Sequence, residues 1–172
     1  MLNDHFPEHP FVEAAKQFCR LVEQHENHDP SGWLEQIGNT LLRLETTIDQ
    51  LEAPFPPLPH AGLSDLEKRF ELYFRLKGFL RDMDDYWSEA DLHAGDGYMT
   101  GSLADDFADI YFEIRRGLDF HERGGKGAKI AIQYWTDGYR GHWRQHLIDA
   151  RKQLFEFKAH AAPDGAAPGE ET

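Results

Sequence analysis

Apolar residues recur along this chain at steps of three and four, the spacing that lines one face of an α-helix. Phe11, Ala14, Ala15, Phe18, Leu21 and Val22 predict a first helix from Pro10 to about Asn27, with the proline suited to the first turn. Trp33, Ile37, Leu41, Leu44, Ile48 and Leu51 form the heptad-like stripe of a second, bundled helix. Pro54, Pro56, Pro57 and Pro59 then forbid helix and predict a stiff extended connector up to Gly62, with recognition by a proline-binding partner as the rarer use of such a run. A third helix opens at the capping-box pattern Ser64-Asp65-Leu66-Glu67 and continues through Phe70, Tyr73, Leu76, Leu80, Met83 and Trp87.

Gly95, Gly97 and Gly101 mark a loop, and Ser102 followed by Asp105 caps a fourth helix carrying Leu103, Phe107, Ile110, Tyr111, Ile114 and Leu118. The run Gly124-Gly125-Lys126-Gly127 is read as a turn between helices, because a phosphate-binding loop needs a preceding strand and a different spacing. A fifth helix, from about Ala128 to about Lys158, places Ile132, Tyr139, Trp143, Leu147, Ala150, Leu154 and Phe157 on one side and is expected to be the spine of the bundle. Small residues and breakers follow from Ala161, predicting a disordered tail over 161–172. Alternation of period two is nearly absent. The expected fold is therefore all-α, a single-domain bundle of about five helices over residues 1–160 with a long C-terminal helix.

Composition narrows the function classes. With 31 acidic and 18 basic residues the formal charge is −13, a field that repels nucleic acid and anionic membrane surfaces and suits a protein partner with a basic surface. No apolar run approaches the roughly 20 residues of a membrane span, and the polar start carries no export signal, so a cytoplasmic protein is expected. The single cysteine, Cys19, sits in an apolar helical pattern and reads as a buried spectator thiol.

Candidate chemistry gathers where the last two helices face each other. Residues at equal height across a short antiparallel turn have numbers adding to about 250, which sets Asp109 level with His142 and Asp105 with His146. Helical phase turns Asp105 away as a capping or solvent residue and leaves Asp109, Glu113 and Asp106 facing His142 and His146. Structural ion pairing ranks first, ahead of ligand or protein recognition, a divalent metal held between facing helices, or a general base. No Glu-x-x-His pair and no H-E-x-x-H is present, so no metal and no cofactor is assigned. Trp135, Tyr139 and Trp143 read as core or interface anchors. His25 and His28 complement the negative end of the first helix, and the acidic run around Asp82, Asp84 and Asp85 reads as a solvated loop.

The combination Gly101-Ser102-Leu103-Ala104-Asp105, Asp109-Ile110-Tyr111 and His142-Trp143 with Ala150, joined by Phe18-Cys19 and Tyr86-Trp87, resembles an uncharacterised bacterial family, domain of unknown function number 5063. The resemblance covers most of residues 10–158 and implies an all-helical fold and no defined reaction. The family pattern has glycine soon after His-Trp, where this chain has Arg144, and implies no histidine at position 146. It favours Asp109, His142 and Trp143 as the centre of any shared site. The function ranked first is a small acidic interaction or adaptor protein, with Asp109, Glu113, Tyr139, His142, Trp143 and His146 as candidate ligand or partner contacts. The alternatives are a metal-binding or hydrolase-like enzyme using the same cluster, and an immunity-like or antitoxin-like inhibitor. Neither a reaction nor an oligomeric state is legible.

Overall fold

The computed structural model describes residues 9–59, 65–95, 97 and 99–161. It is an all-helical bundle: α1 (Pro10–Glu23), α2 (Pro30–Ile48), α3 (Leu66–Leu80), a short α4 (Glu89–Ala94), α5 (Leu103–His121), α6 (Lys126–Gly138) and α7 (Arg144–Ala161). Three of the starts follow from local chemistry. Asp29 caps α2 and Asp65 caps α3 through backbone N–H groups, and Ser102 caps α5 by accepting from the N–H of Asp105. The capping serine expected at position 64 lies outside the described residues, and Asp65 does that work.

The expected fifth helix is one continuous helical rod with a fault in it. Between α6 and α7 the turn Tyr139–Trp143 is π-helical, so one extra residue is taken up. Trp135 and Trp143 are eight residues apart and would stand about 80° out of phase on an unbroken α-helix. Absorbing one residue cuts that to about 20°, and both indoles are fully buried. The buried line is therefore Ala131, Trp135, Trp143, Leu147, Ala150 and Leu154, and it does not run through Ile132. The last helix is long, as expected, and Ala161, assigned to the tail, still belongs to it; residues 162–172 lie outside the described part.

The spine is α5. It packs against α1, α3, α6 and α7, and it buries Leu103, Phe107, Ile110, Ile114 and Leu118. Close approach of α6 depends on Gly117, where any side-chain carbon would overlap the indole of Trp135, whose N–H donates to the Ile114 carbonyl at 3.2 Å. On the opposite side Trp33 packs edge-on to Phe79 and Phe107 and donates to the Leu21 carbonyl at 2.8 Å, satisfying its buried N–H. The proline connector is tied down by Gln133 of α6, which accepts from the Phe55 N–H at 3.0 Å.

Two parts of the third element depart from expectation. Its buried arc is Arg69, Leu72, Leu76 and Leu80, so Leu66 and Phe70 face outward. The chain leaves the helix at Arg81, whose φ is +52°, and never reaches Trp87 as helix. Asp85–Tyr86 (β1) instead pairs antiparallel with Gly101–Ser102 (β2), Tyr86 opposite Gly101. Asp84 is no solvated loop residue: it is fully buried and accepts from Ser102 Oγ and the Ala104 N–H, fastening the start of α5. His25 is likewise in the core, its Nδ1 2.8 Å from the Val22 carbonyl and its ring edge-on to Phe79.

Candidate functional site

Helix α5 presents Asp106, Asp109 and Glu113 at three- and four-residue steps toward the π-turn and α7, and all three are buried. Buried carboxylates need donors. Each has found a histidine, and the levels follow the antiparallel arithmetic within a turn. His142 Nδ1 lies 2.8 Å from Glu113 Oε1, and His146 Nδ1 lies 2.8 Å from Asp106 Oδ1. An ionised carboxylate only accepts, so each bond places the imidazole proton on Nδ1 and turns Nε2 away from it. His146 Nε2 then comes within 3.2 Å of Asp109 Oδ2. The two rings sit 5.3 Å apart on successive turns.

Asp109 has a second partner, which the sequence reading missed. Arg69 of α3 grips it bidentately, Nε to Oδ1 and Nη2 to Oδ2 at 2.8 Å, and its Nη2 also reaches Asp105 at 2.6 Å. Asp105 is thus neither the cap nor a partner of His146; it is half-exposed and paired with the arginine. The signal for Arg69 was present as a cation three and seven residues ahead of Leu72 and Leu76 on a helix face. Apolar spacing pointed to Leu66 and Phe70 instead, and the buried acids of α5 turn the arginine inward. Tyr86 was also missed, because it was assigned to a helix; its hydroxyl donates to Asp106 Oδ2 at 2.6 Å. Gly101 makes this possible, since a side-chain carbon there would overlap the Tyr86 ring.

Of the four carboxylates, Asp105 and Asp109 share the guanidinium of Arg69, while Asp106 and Glu113 are bonded to the imidazoles. Two imidazolium protons or one divalent cation would each offset two negative charges here. Burial pushes the Asp106 carboxyl up to about 6, against the lowering effect of the hydrogen bonds from His146 and Tyr86. Burial also opposes charge on His146, but the hydrogen bond and charge of Asp106, with Asp109 and Asp105 behind it, outweigh that and raise its pKa. Hydrogen bonding to Asp109 raises Arg69 further, keeping it a fixed cation.

One ligand atom from each of Asp109, His142 and His146 lies within 4.8 Å of the other two. His142 and His146 are about a quarter exposed, so this point opens to solvent. Glu113 is beneath it and fully buried. The Tyr134 hydroxyl is set against its carboxylate, and the Trp143 N–H faces the same gap beside Gly138, where an added carbon would stand 3.2 Å from both Glu113 Oε2 and the indole nitrogen. Tyr139 packs edge-on to Trp143 at 4.7 Å. Of the six candidates, three converge, Glu113 orients one of them, and Trp143 and Tyr139 pack behind. Trp143 and Trp135 are fully buried and present no surface to a partner. Cys19 stays apart in the core, where burial pushes its thiol well above the ordinary range.

Among solved structures the chain is similar to the crystal structure of protein BF1032 from Bacteroides fragilis, with a TM-score of 0.69 and 21% identity, covering 92% of this chain and 94% of that one. At that identity the likeness speaks for the fold. No curated protein matches the chain. The model of the family described as Domain of unknown function (DUF5063) matches residues 7–160, which takes in every helix from α1 to the last turn of α7. With the bundle, the buried acids of α5 and the His-Trp pair all inside that match, this chain belongs to the DUF5063 family.

Proposed function

We propose that this protein binds a divalent transition metal through Asp109 and the Nε2 atoms of His142 and His146. The observation that carries the reading is the orientation of both imidazoles: each gives its Nδ1 to a buried carboxylate, the arrangement by which metal-ligating histidines are held. Two imidazoles and a carboxylate suit zinc, iron or cobalt better than calcium or magnesium. At metal distances of about 2.0–2.2 Å the three ligand atoms would stand roughly 3.3 Å apart; His146 Nε2 and Asp109 Oδ2 already stand 3.2 Å apart, so only His142 has to draw in, by no more than about 1.5 Å. Rotation of the part-exposed His142 can supply that movement. Three protein ligands leave coordination positions for water, which is the chemistry a hydrolytic site would use.

The test is cobalt titration of protein stripped with chelator, with elemental analysis of protein as purified. Stoichiometric uptake with the visible bands of low-coordinate cobalt, lost in His142→Ala and in His146→Ala, is the expected result. Protein that takes up no cobalt, or a His142→Ala variant that binds it as tightly, would overturn the reading.

A second reading, the acidic interaction protein, draws support from a different surface. Leu66, Phe70 and Phe74 stand exposed in line on α3, an apolar stripe unusual for a solvent-facing helix. Together with the charge of −13, this favours a protein partner with a basic rim, in adaptor or inhibitor fashion. Among the described residues no helix is long and apolar enough to cross a membrane. A protein bound by the wild type and equally by Phe70→Ser/Phe74→Ser would remove this reading.

A further inference from the structure

Behind each candidate histidine ligand stand a buried carboxylate and a tyrosine. His146 is bonded to Asp106, and Asp106 accepts from the hydroxyl of Tyr86 at 2.6 Å. His142 is bonded to Glu113, and the Tyr134 hydroxyl is set against that carboxylate. The two chains come from different parts of the fold: Tyr86 from the β1–β2 ribbon, Tyr134 from α6, one turn ahead of Gly138. They run into one helix face and end at imidazoles 5.3 Å apart. Both tyrosines are substantially buried, and burial together with the adjacent carboxylates raises their pKa, so the hydroxyls stay protonated as donors.

We propose that Tyr86 and Tyr134 are paired positioning residues, each locking one carboxylate so that its histidine is held with Nδ1 protonated and Nε2 aimed at the metal. The proposal rests on the metal reading above and assigns it a support. A carboxylate can rotate about its own axis and offer either oxygen to the imidazole. With one oxygen of Asp106 taken by Tyr86 and the other by His146, that freedom is gone. Tyr134 would fix Glu113 in the same sense, within a pocket that Gly138 leaves just wide enough. Neither tyrosine touches the ligand atoms, so each acts only through its carboxylate. Partners of this kind typically change metal affinity by about 10- to 100-fold.

The experiment uses the full chain with Tyr86→Phe and Tyr134→Phe, which keep the rings and remove only the hydroxyls. Zinc affinity is measured by competition with a chromophoric chelator. The Nδ1–H protons of His142 and His146 are followed by NMR. Each variant is expected to lose about tenfold in zinc affinity while thermal unfolding of the metal-free protein shows both folded. Tyr86→Phe should shift the His146 Nδ1–H signal and leave that of His142, and Tyr134→Phe should do the reverse. That crossed pattern is one a general loss of packing would not produce. Signals that move together in both variants, or unchanged zinc affinity, would overturn the relays. A wild type that takes up no zinc overturns the metal reading instead, and the crossed shifts are then sought in metal-free protein, where their absence overturns the relays too.

Discussion

Replacing Arg69 by methionine isolates the charge that holds Asp109. Methionine keeps much of the aliphatic volume against Leu72 and removes five donors. In the folded protein Asp109 is 5% exposed, so the variant leaves a carboxylate that water cannot adequately solvate. Breaking one partner of a buried ion pair costs about 3–5 kcal/mol. Two features place this case at the low end. Asp105 is half-exposed and is re-solvated at little cost, and His146 Nε2 remains 3.2 Å from Asp109 Oδ2 as a partial counter-charge. The expected loss is therefore about 3 kcal/mol, read from urea unfolding of chelator-treated protein by circular dichroism with an unchanged slope. Adding Asp109→Asn removes the stranded charge, so the second substitution should cost far less in the methionine background than in the wild type, a coupling of about 2 kcal/mol. A loss below about 1 kcal/mol, or strictly additive effects, would refute the view that Arg69 and Asp109 form one buried unit.

Metal binding should weaken as pH falls through the raised pKa of His146, already above about 6.5, because both imidazoles must shed a proton to ligate; cobalt titrations at pH 6 and pH 8 that agree would contradict this. In metal-free protein His146 should titrate above the ordinary histidine value, and Asp106→Asn should bring it down, as followed by NMR. The sign is that of a raised base: the stability His146 contributes is full below about pH 6.5 and is lost as pH rises through its folded pKa. Gly117→Ala should cost about 3 kcal/mol by forcing Trp135 off α5, and a melting temperature within a degree or two of wild type would count against that packing. Gln133→Leu should release the proline connector, seen as faster hydrogen exchange at the Phe55 amide and quicker proteolysis there, while global stability falls only by about 1 kcal/mol.

Local pattern was a reliable guide to the helices and a poor guide to their partners. The three- and four-residue steps located α1, α2, α5 and the last helical rod, because a helix must line up its apolar side chains to bury them at all. Ser102 was recognised as a cap because its bond to the Asp105 N–H is closed within four residues. Even the encounter of Asp109 and Glu113 with the two histidines was partly visible, since a short turn forces α5 and α6 to run antiparallel. The family resemblance pointed to the same Asp109 and His142.

What the sequence determined by itself, then, is the set of contacts governed by neighbours along the chain: the spans of every long helix but α3, the cap at Ser102, the turn at Gly124 and Gly125, and the acidic charge. Tertiary structure alone decided the rest. The one-residue fault at Tyr139–Trp143, which brings Trp143 into line with Trp135, relieves a mismatch between two buried faces that no local pattern records. Arg69 turns inward, against the apolar rule, because the carboxylates it satisfies are 36 and 40 residues further on. Tyr86 reaches Asp106 only because α3 ends early and Gly101 leaves room for its ring. A buried charge is tolerable only with its partners in place, and those partners are assembled by the fold as a whole.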